Sequence, residues 1–356
     1  MAATGARLSL RSGGHGISGR STNHGGIVVD LADLSQVRVL DATTGLVRVG
    51  AGARWGDVAR TLAPHGLALS SGDTGDVGVG GLATAGGIGL MSRLHGLTID
   101  HIKAVDLVRA DGELIRADAE HHPDLFWAMR GAGANFGVAT AFEFQAQQTS
   151  DVIEAVTTYD ATDTAGLLVR WGTTMEAAPR RLTSFLTLVP ASGRIIGRAV
   201  TVYASADRSA AAAALRPLLA IAPVLGHQTT ITPYHRLVPA THAPHYGQQQ
   251  LSVVRSALFN HINKGVGEAV GATMATGQVM AQLRSIGGAV NDVDRSHTAY
   301  AHRTQNFSLM AATTPESEHV LDRRWADIRP YMNGLYLSFE TGTSSNLLHA
   351  AFPGTT

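Results

Sequence analysis

Arg11-Ser12-Gly13-Gly14-His15-Gly16 follows a short apolar stretch (Leu8, Leu10) and sets one histidine in a turn that is otherwise almost all glycine. Glycine permits backbone angles and close approaches that a Cβ forbids. Successive N–H groups in such a turn make a concave anion site. Two readings follow. One is a phosphate cradle with a nucleophilic imidazole at its lip; the other is a glycine-rich turn with a solvent-facing histidine.

The 356 residues predict two domains or one large one. A hydrophobic content of 44% with 16% charged residues describes an ordinary globular chain with a large core. Its 28 basic and 28 acidic residues cancel, so no electrostatic footprint for nucleic acid or an anionic membrane is present. Lys103 and Lys264 are the only lysines. The absence of cysteine excludes disulfides, thiolate metal sites, Cys nucleophiles and thioether links. No basic-then-apolar leader and no run approaching about 18 apolar residues occurs, which reads as soluble, unexported and cytoplasmic. The 40 glycines concentrate in the first 140 residues.

Outward from the loop, Gly26–Leu31 predicts a buried strand and Leu46–Gly52 another. Trp55, Val58, Ala59 and Leu62 predict a short amphipathic helix between Arg54 and Pro64. His101–Arg109 and Glu113–Ala117 flank Asp111-Gly112, a hairpin signal. Pro123 opens a helix over Asp124–Arg130, and Val138–Gln145 is a strand. Beyond about residue 150 the texture changes. Helices are predicted over Gly166–Ala178, Ala210–Leu219, Gly265–Met274 and Pro315–Arg329. Strands are predicted over Thr183–Val189, Ile195–Ala204, Ser252–Phe259, Val279–Ile286, Thr298–His302, Phe307–Ala311 and Leu335–Phe339. The class is α+β, with a second part built as a sheet covered by helices.

Common motifs fall away. Gly14-x-Gly16-x-x-Gly19 has the letters of a dinucleotide fingerprint, but Arg20–Gly26 lacks the helical spacing that must follow. No P-loop, G-x-S-x-G elbow or H-E-x-x-H is present. His121-His122 does not make a metal site, because adjacent side chains diverge and no acidic partner is suitably spaced. Three glycine clusters remain, at 13–19, 72–89 and 131–137. They read either as a small-residue surface for a long dinucleotide or as close-packed turns of a β-rich domain, and the two are compatible.

The order of motifs adds a resemblance. Arg11–Gly16 is followed by Val49-Gly-Ala-Gly-Ala-Arg-Trp-Gly56 and by Gly78-Val-Gly-Gly-Leu-Ala-Thr-Ala-Gly-Gly-Ile-Gly89. Asp124-Leu-Phe-Trp-Ala-Met-Arg-Gly131 and Asn135-Phe-Gly-Val138 then complete the series. This resembles the FAD-linked oxidases with a PCMH-type flavin domain, in the berberine-bridge-enzyme-like branch of the vanillyl-alcohol-oxidase superfamily. The match is close over residues 8 to 148 and looser at Leu283–Met310 and Tyr331–Phe339.

The resemblance implies an FAD-binding domain over 1–148 and a substrate domain of antiparallel sheet and helices over 149–356. It implies FAD contacts at Arg11, Ser12, Gly13, Gly14, His15, Gly16, Val77, Gly78, Val79, Gly80, Gly81, Gly86, Gly87, Gly89, Gly137 and Val138. His15 is then the residue bonded to the flavin 8α-methyl; a neutral imidazole, of unperturbed pKa about 6.5, has the lone pair for that attack. The family's second, cysteinyl link falls at Thr74, which cannot form it. Asp100 is either family-like or a local backbone cap. Hydride transfer from an alcohol or amine carbon of a small molecule to flavin N5 follows, with dioxygen or another acceptor taking the electrons.

Candidates for the proton acceptor are Tyr336, with Ser338 where asparagine is usual in the family, and Tyr300 and His302, which alternate onto one face of the predicted strand. Such residues also serve as packing groups with a polar tip. Relative to the family, several tens of residues before the first loop, and the tail that should start where the chain stops at Ala350–Thr356, are expected to be missing. A non-catalytic paralogue or fragment with weak or no flavin binding, and an oxygen-independent dehydrogenase, therefore stand as alternatives.

Overall fold

Alternation of apolar and polar residues and the glycine-rich turns between them divide the first 148 residues into short strands. In the computed structural model, which describes residues 5–149, 151–241 and 252–354, β1 (Leu8–Arg11) pairs in parallel with β2 (Ile27–Asp30). Next come β3 (Val37–Asp41), β4 (Leu46–Gly50), α1 (Trp55–Leu62), β5 (Leu67–Ala68), α2 (Val79–Ala83) and α3 (Ser92–His95). They are followed by β6 (Ile102–Val108), β7 (Leu114–Asp118), α4 (Pro123–Met129), β8 (Val138–Gln145) and β9 (Gln147–Gln148). Five strands form an antiparallel sheet in the order β3-β4-β8-β6-β7. The β6–β7 hairpin turns at Asp111-Gly112, where Gly112 takes φ +88°, as its sequence requires. The α1 face that carries Trp55, Val58, Ala59 and Leu62 is buried, and Trp55 meets Phe144 of β8 edge-on at 5.7 Å.

The later part is a seven-stranded antiparallel sheet. Along the chain it runs β10 (Val152–Asp160), α5 (Thr164–Ala177), β11 (Leu182–Ala191), β12 (Arg194–Tyr203), α6 (Arg208–Leu215) and β13 (Val224–Thr232). Then follow β14 (Val253–Phe259), α7 (Lys264–Met274), β15 (Met280–Ser285), β16 (Phe307–Thr313), α8 (Glu318–Ile328) and α9 (Ser345–Ala351). The strand order is β13-β10-β12-β11-β15-β16-β14. One face packs on α5, α7 and α8 through Leu167, Trp171, Val270 and Trp325. Phe185, Val202 and Leu258 on the other face join the core of the glycine-rich part. The substrate-side expectation of an antiparallel sheet covered by helices holds, and so does the α+β class.

Four expectations are corrected. The 26–31 segment does form β2, but Ile27 (43% exposed) and Val28 (39%) face outward, because among the described residues β2 pairs with β1 alone. Thr298–His302 is not a strand: its backbone bonds the end of α4 instead, Ala299 N–H to Trp127 O and Tyr300 N–H to Arg130 O, both at 3.3 Å. Leu335–Phe339 runs beside β14 and bonds it at both ends, Asn333 N–H to Leu258 O and Thr341 N–H to Val254 O, but closes a 3-10 turn at Leu337–Phe339 between them. Finally, β3, β10 and β13 were not expected.

A candidate flavin and substrate site

The first loop earns its glycines by contact with the second. A Cβ on Gly13 would lie 2.2 Å from Gly78 N, and one on Gly78 would lie 2.1 Å from Gly13 N, so two backbones cross where no side chain fits. Ser12 ties the crossing down. Its hydroxyl donates to Ala51 O at 2.6 Å and accepts from Gly80 N–H at 3.3 Å. Arg11 pairs with Asp30 on β2 at 2.5 Å. Gly14 takes φ +75°, His15 is half-buried, and a Cβ at Gly16 or Gly81 would meet open space. Val77 O accepts from Trp55 N–H and Val79 N–H donates to Ala53 O, so the 77–80 run lies along the 51–55 turn.

The third cluster joins the second, since Gly133 N–H donates to Thr84 O at 3.2 Å and a Cβ on Gly133 would touch the Thr84 side chain. Gly86 (φ +146°) and Gly87 (φ +85°) make the turn that the other sheet approaches. Gly87 N–H donates to Tyr336 Oη at 3.0 Å, and a Cβ on Gly86 would lie 3.0 Å from the Tyr336 ring and 3.4 Å from that of Tyr300. The two rings meet edge-on at 6.1 Å, and Phe339 adds a third at 5.0 Å from Tyr336. Tyr300 Oη is buried and has no hydrogen-bond partner among the described residues; burial pushes its hydroxyl well above the ordinary tyrosine range. The segment is pinned by a buried ion pair, Arg303 to Asp100 at 2.7 and 2.9 Å. Arg303 also donates to Thr298 Oγ1 and sits 5.3 Å from the Tyr300 ring centre.

Residues 1–118 match the model of a family described as an FAD binding domain. The chain is 43% identical over 141 residues to (R)-6-hydroxynicotine oxidase of Paenarthrobacter nicotinovorans, covering 40% of this chain and 31% of that protein. It is 30% identical over 313 residues to the uncharacterized FAD-linked oxidoreductase YgaK of Bacillus subtilis (strain 168), covering 83% of this chain and 66% of that one. The chain is thus similar to FAD-linked oxidoreductases, along most of its length in the second case. The match spans less than a third of the length of the first of these relatives. Among solved structures, chitooligosaccharide oxidase superposes with a TM-score of 0.87 at 23% identity, over 99% of this chain and 82% of that one. Xylooligosaccharide oxidase from Myceliophthora thermophila C1 gives 0.87 at 24%, over the same shares. These two show a shared fold.

In this chain the sequence-predicted residues separate into groups. Ser12, Gly13, Gly78 and Gly80 converge, and so do Gly86, Gly87, Tyr336 and Tyr300. Gly89 packs tightly against Ser70 and Ser71, and Gly137 (φ +157°) opens β8 against Leu107 and Val108, with half-buried Val138 next in line. His302 lies apart from the Gly87–Tyr336 contact in its bonding. Its Nε2–H donates to Ala351 O at 3.0 Å and burial pulls its pKa down to about 4, so it props the C-terminal helix as a neutral imidazole. Thr74 is exposed beside Asp73. Asp100 both caps Leu97 N–H and holds Arg303. His121 does have an acidic partner, Asp118 Oδ1 at 3.0 Å. Sequence reading gave no role to Phe339 or Arg284; an arginine in an apolar strand was the signal available for the second.

Proposed function

We propose that this chain is an FAD-dependent oxidoreductase that takes a hydride from an alcohol or amine carbon of a small molecule. The observation that carries the reading is the bare backbone of the Gly13/Gly78 crossing, opening at Gly16 and Gly81, with Tyr336 seated on Gly87 N–H at the other end. These residues fit the group: crossed glycines present N–H to phosphate where a Cβ would fill the cradle. Arg11 to Gly16, Val77 to Gly81, Gly86, Gly87, Gly89, Gly137 and Val138 would hold FAD, with His15 as the covalent attachment. Held there, FAD would supply the two-electron acceptor for that hydride, with dioxygen as the final oxidant.

The chain's own part is to orient and to move a proton. Gly87 N–H fixes Tyr336 Oη, which in its phenolate form would take the proton of the substrate hydroxyl or amine and become the neutral phenol. Tyr300, kept protonated by burial, donates a hydrogen bond rather than accepting a proton. The aromatic wall of Tyr300, Tyr336 and Phe339 excludes water from that exchange.

Acid precipitation of the purified chain tests the cofactor. Yellow colour retained in the pellet supports a covalent flavin, and His15→Ala should move that colour to the supernatant. A colourless pellet and supernatant would sink the flavoenzyme reading. Tyr336→Phe should slow flavin reduction by about 10²–10⁴-fold with flavin content unchanged, read by hydrogen peroxide release over a panel of alcohols and amines.

A further inference from the structure

On β15, Arg284 stands opposite Phe185 of β11 and Ser308 of β16, and residues directly opposite across antiparallel strands share a sheet face. The face is the one turned to the glycine-rich part, because Phe185 belongs to that core. The guanidinium is buried between two rings, 4.2 Å from the centre of Phe339 and 5.1 Å from that of Phe185. Its one hydrogen bond among the described residues runs from Nη2 to Asp73 Oδ2 at 3.1 Å. Nε is buried without a partner, and so is Ser308 Oγ beside it. Phe339 in turn abuts Tyr336, so this polar corner continues the wall that begins at Gly87.

A buried donor left unsatisfied has given up its hydrogen bonds to water without replacement. Two of them in neighbouring positions on one strand pair mark a place completed by something else. We infer that Arg284, Ser308 and Asp73 form a substrate subsite for a neutral, oxygen-rich group such as a pair of hydroxyls; the inference rests on the preceding reading of the Tyr300–Tyr336–Phe339 wall as part of a substrate site. Asp73 decides the charge class. It cancels the guanidinium, so the corner offers donors without net positive charge, and a carboxylate would meet Asp73 as a like charge. Guanidinium and hydroxyl donors address the ligand's oxygens, the remaining carboxylate lone pairs accept its O–H groups, and the Phe339 face supplies apolar contact.

The test is ligand binding to the full chain by saturation-transfer NMR, with flavin occupancy measured separately from absorbance. Three probes are used: methyl β-D-glucoside, its carboxylate counterpart methyl β-D-glucuronide, and cyclohexanol, which has no second oxygen. The glucoside should bind at least ten-fold more tightly than either of the others. Arg284→Met and Ser308→Ala should each weaken it about ten-fold without lowering flavin occupancy, and Arg284→Lys should retain part of the binding. Asp73→Asn, which leaves the arginine charge uncancelled, should reverse the order and favour the glucuronide. Equal binding of glucoside and cyclohexanol, or an unchanged preference in Asp73→Asn, overturns the subsite. Loss of flavin from the parent chain would instead count against the oxidoreductase reading, and the NMR result would still stand for or against the subsite.

Discussion

The imidazole of His302 is buried and donates to Ala351 O, and burial holds its pKa near 4 against about 6.5 in the unfolded chain. Between those values the unfolded state binds a proton that the folded state refuses. Stability therefore rises with pH in that window and is lost as pH falls from about 6.5 towards 4. His95, lowered to about 4 by burial and by His101, acts in the same direction. His302→Gln, which can keep a donor to Ala351, should lose less stability than the parent over the window, by up to about 3 kcal/mol; urea titrations at pH 7 and 4.5 measure it, and identical losses would count against the assignment. A second pair of residues separates space from conformation. Gly13→Ala places a methyl 2.2 Å from Gly78 N and should cost about 1–3 kcal/mol. Gly16→Ala meets nothing within 4 Å and should leave thermal stability within about 0.5 kcal/mol.

At the scale of elements, the end of α4 acts as a clamp on residues 296–300. Trp127 Nε1–H donates to Ser296 O at 2.7 Å and Arg130 donates to His297 O at 3.0 Å, while Arg130 lies 4.1 Å from the Phe126 ring centre. Arg130→Met should cost about 1–3 kcal/mol through the orphaned carbonyl and should speed hydrogen exchange at the Tyr300 amide, with the β6–β7 hairpin unaffected. The clamp also explains what the sequence could and could not tell. Elements whose signals are local were legible: α1 from its apolar stripe, the hairpin from Asp111-Gly112, β8 from alternation. Tyr300 and His302 alternate like a strand, yet the backbone N–H groups of Ala299 and Tyr300 bond a helix end some 170 residues earlier, and no local pattern records that. The Leu335–Phe339 turn is similar. Tyr336 N–H goes to Ser256 Oγ and Ser256 N–H to the buried Glu340 carboxylate, so side chains replace ladder bonds and free the backbone to coil. The loop at 11–16 was readable as a cradle because glycine is the residue that tolerates the Gly78 crossing, whereas the Arg284–Asp73 corner depends on strand register.

For the molecule as a whole, the Arg303–Asp100 pair fastens the later chain to the glycine-rich part, with side chains 2% and 8% exposed. Breaking one partner of a buried pair leaves an uncompensated charge, so Asp100→Asn should cost about 3–5 kcal/mol. Replacing both, Asp100→Leu with Arg303→Met, should recover much of that loss in the same denaturant titration; a double variant as unstable as the sum of the singles would refute the pairing.

The hydrogen bond between Gly87 and Tyr336 joins residues 249 positions apart. A ribosome adding about 5–20 residues per second needs more than ten seconds to make that intervening stretch. Throughout that interval the nascent glycine loops lack the wall that closes them. The contact that seats Tyr336 on the Gly86–Gly87 turn therefore forms only after nearly the whole chain has been made, long after the loop itself.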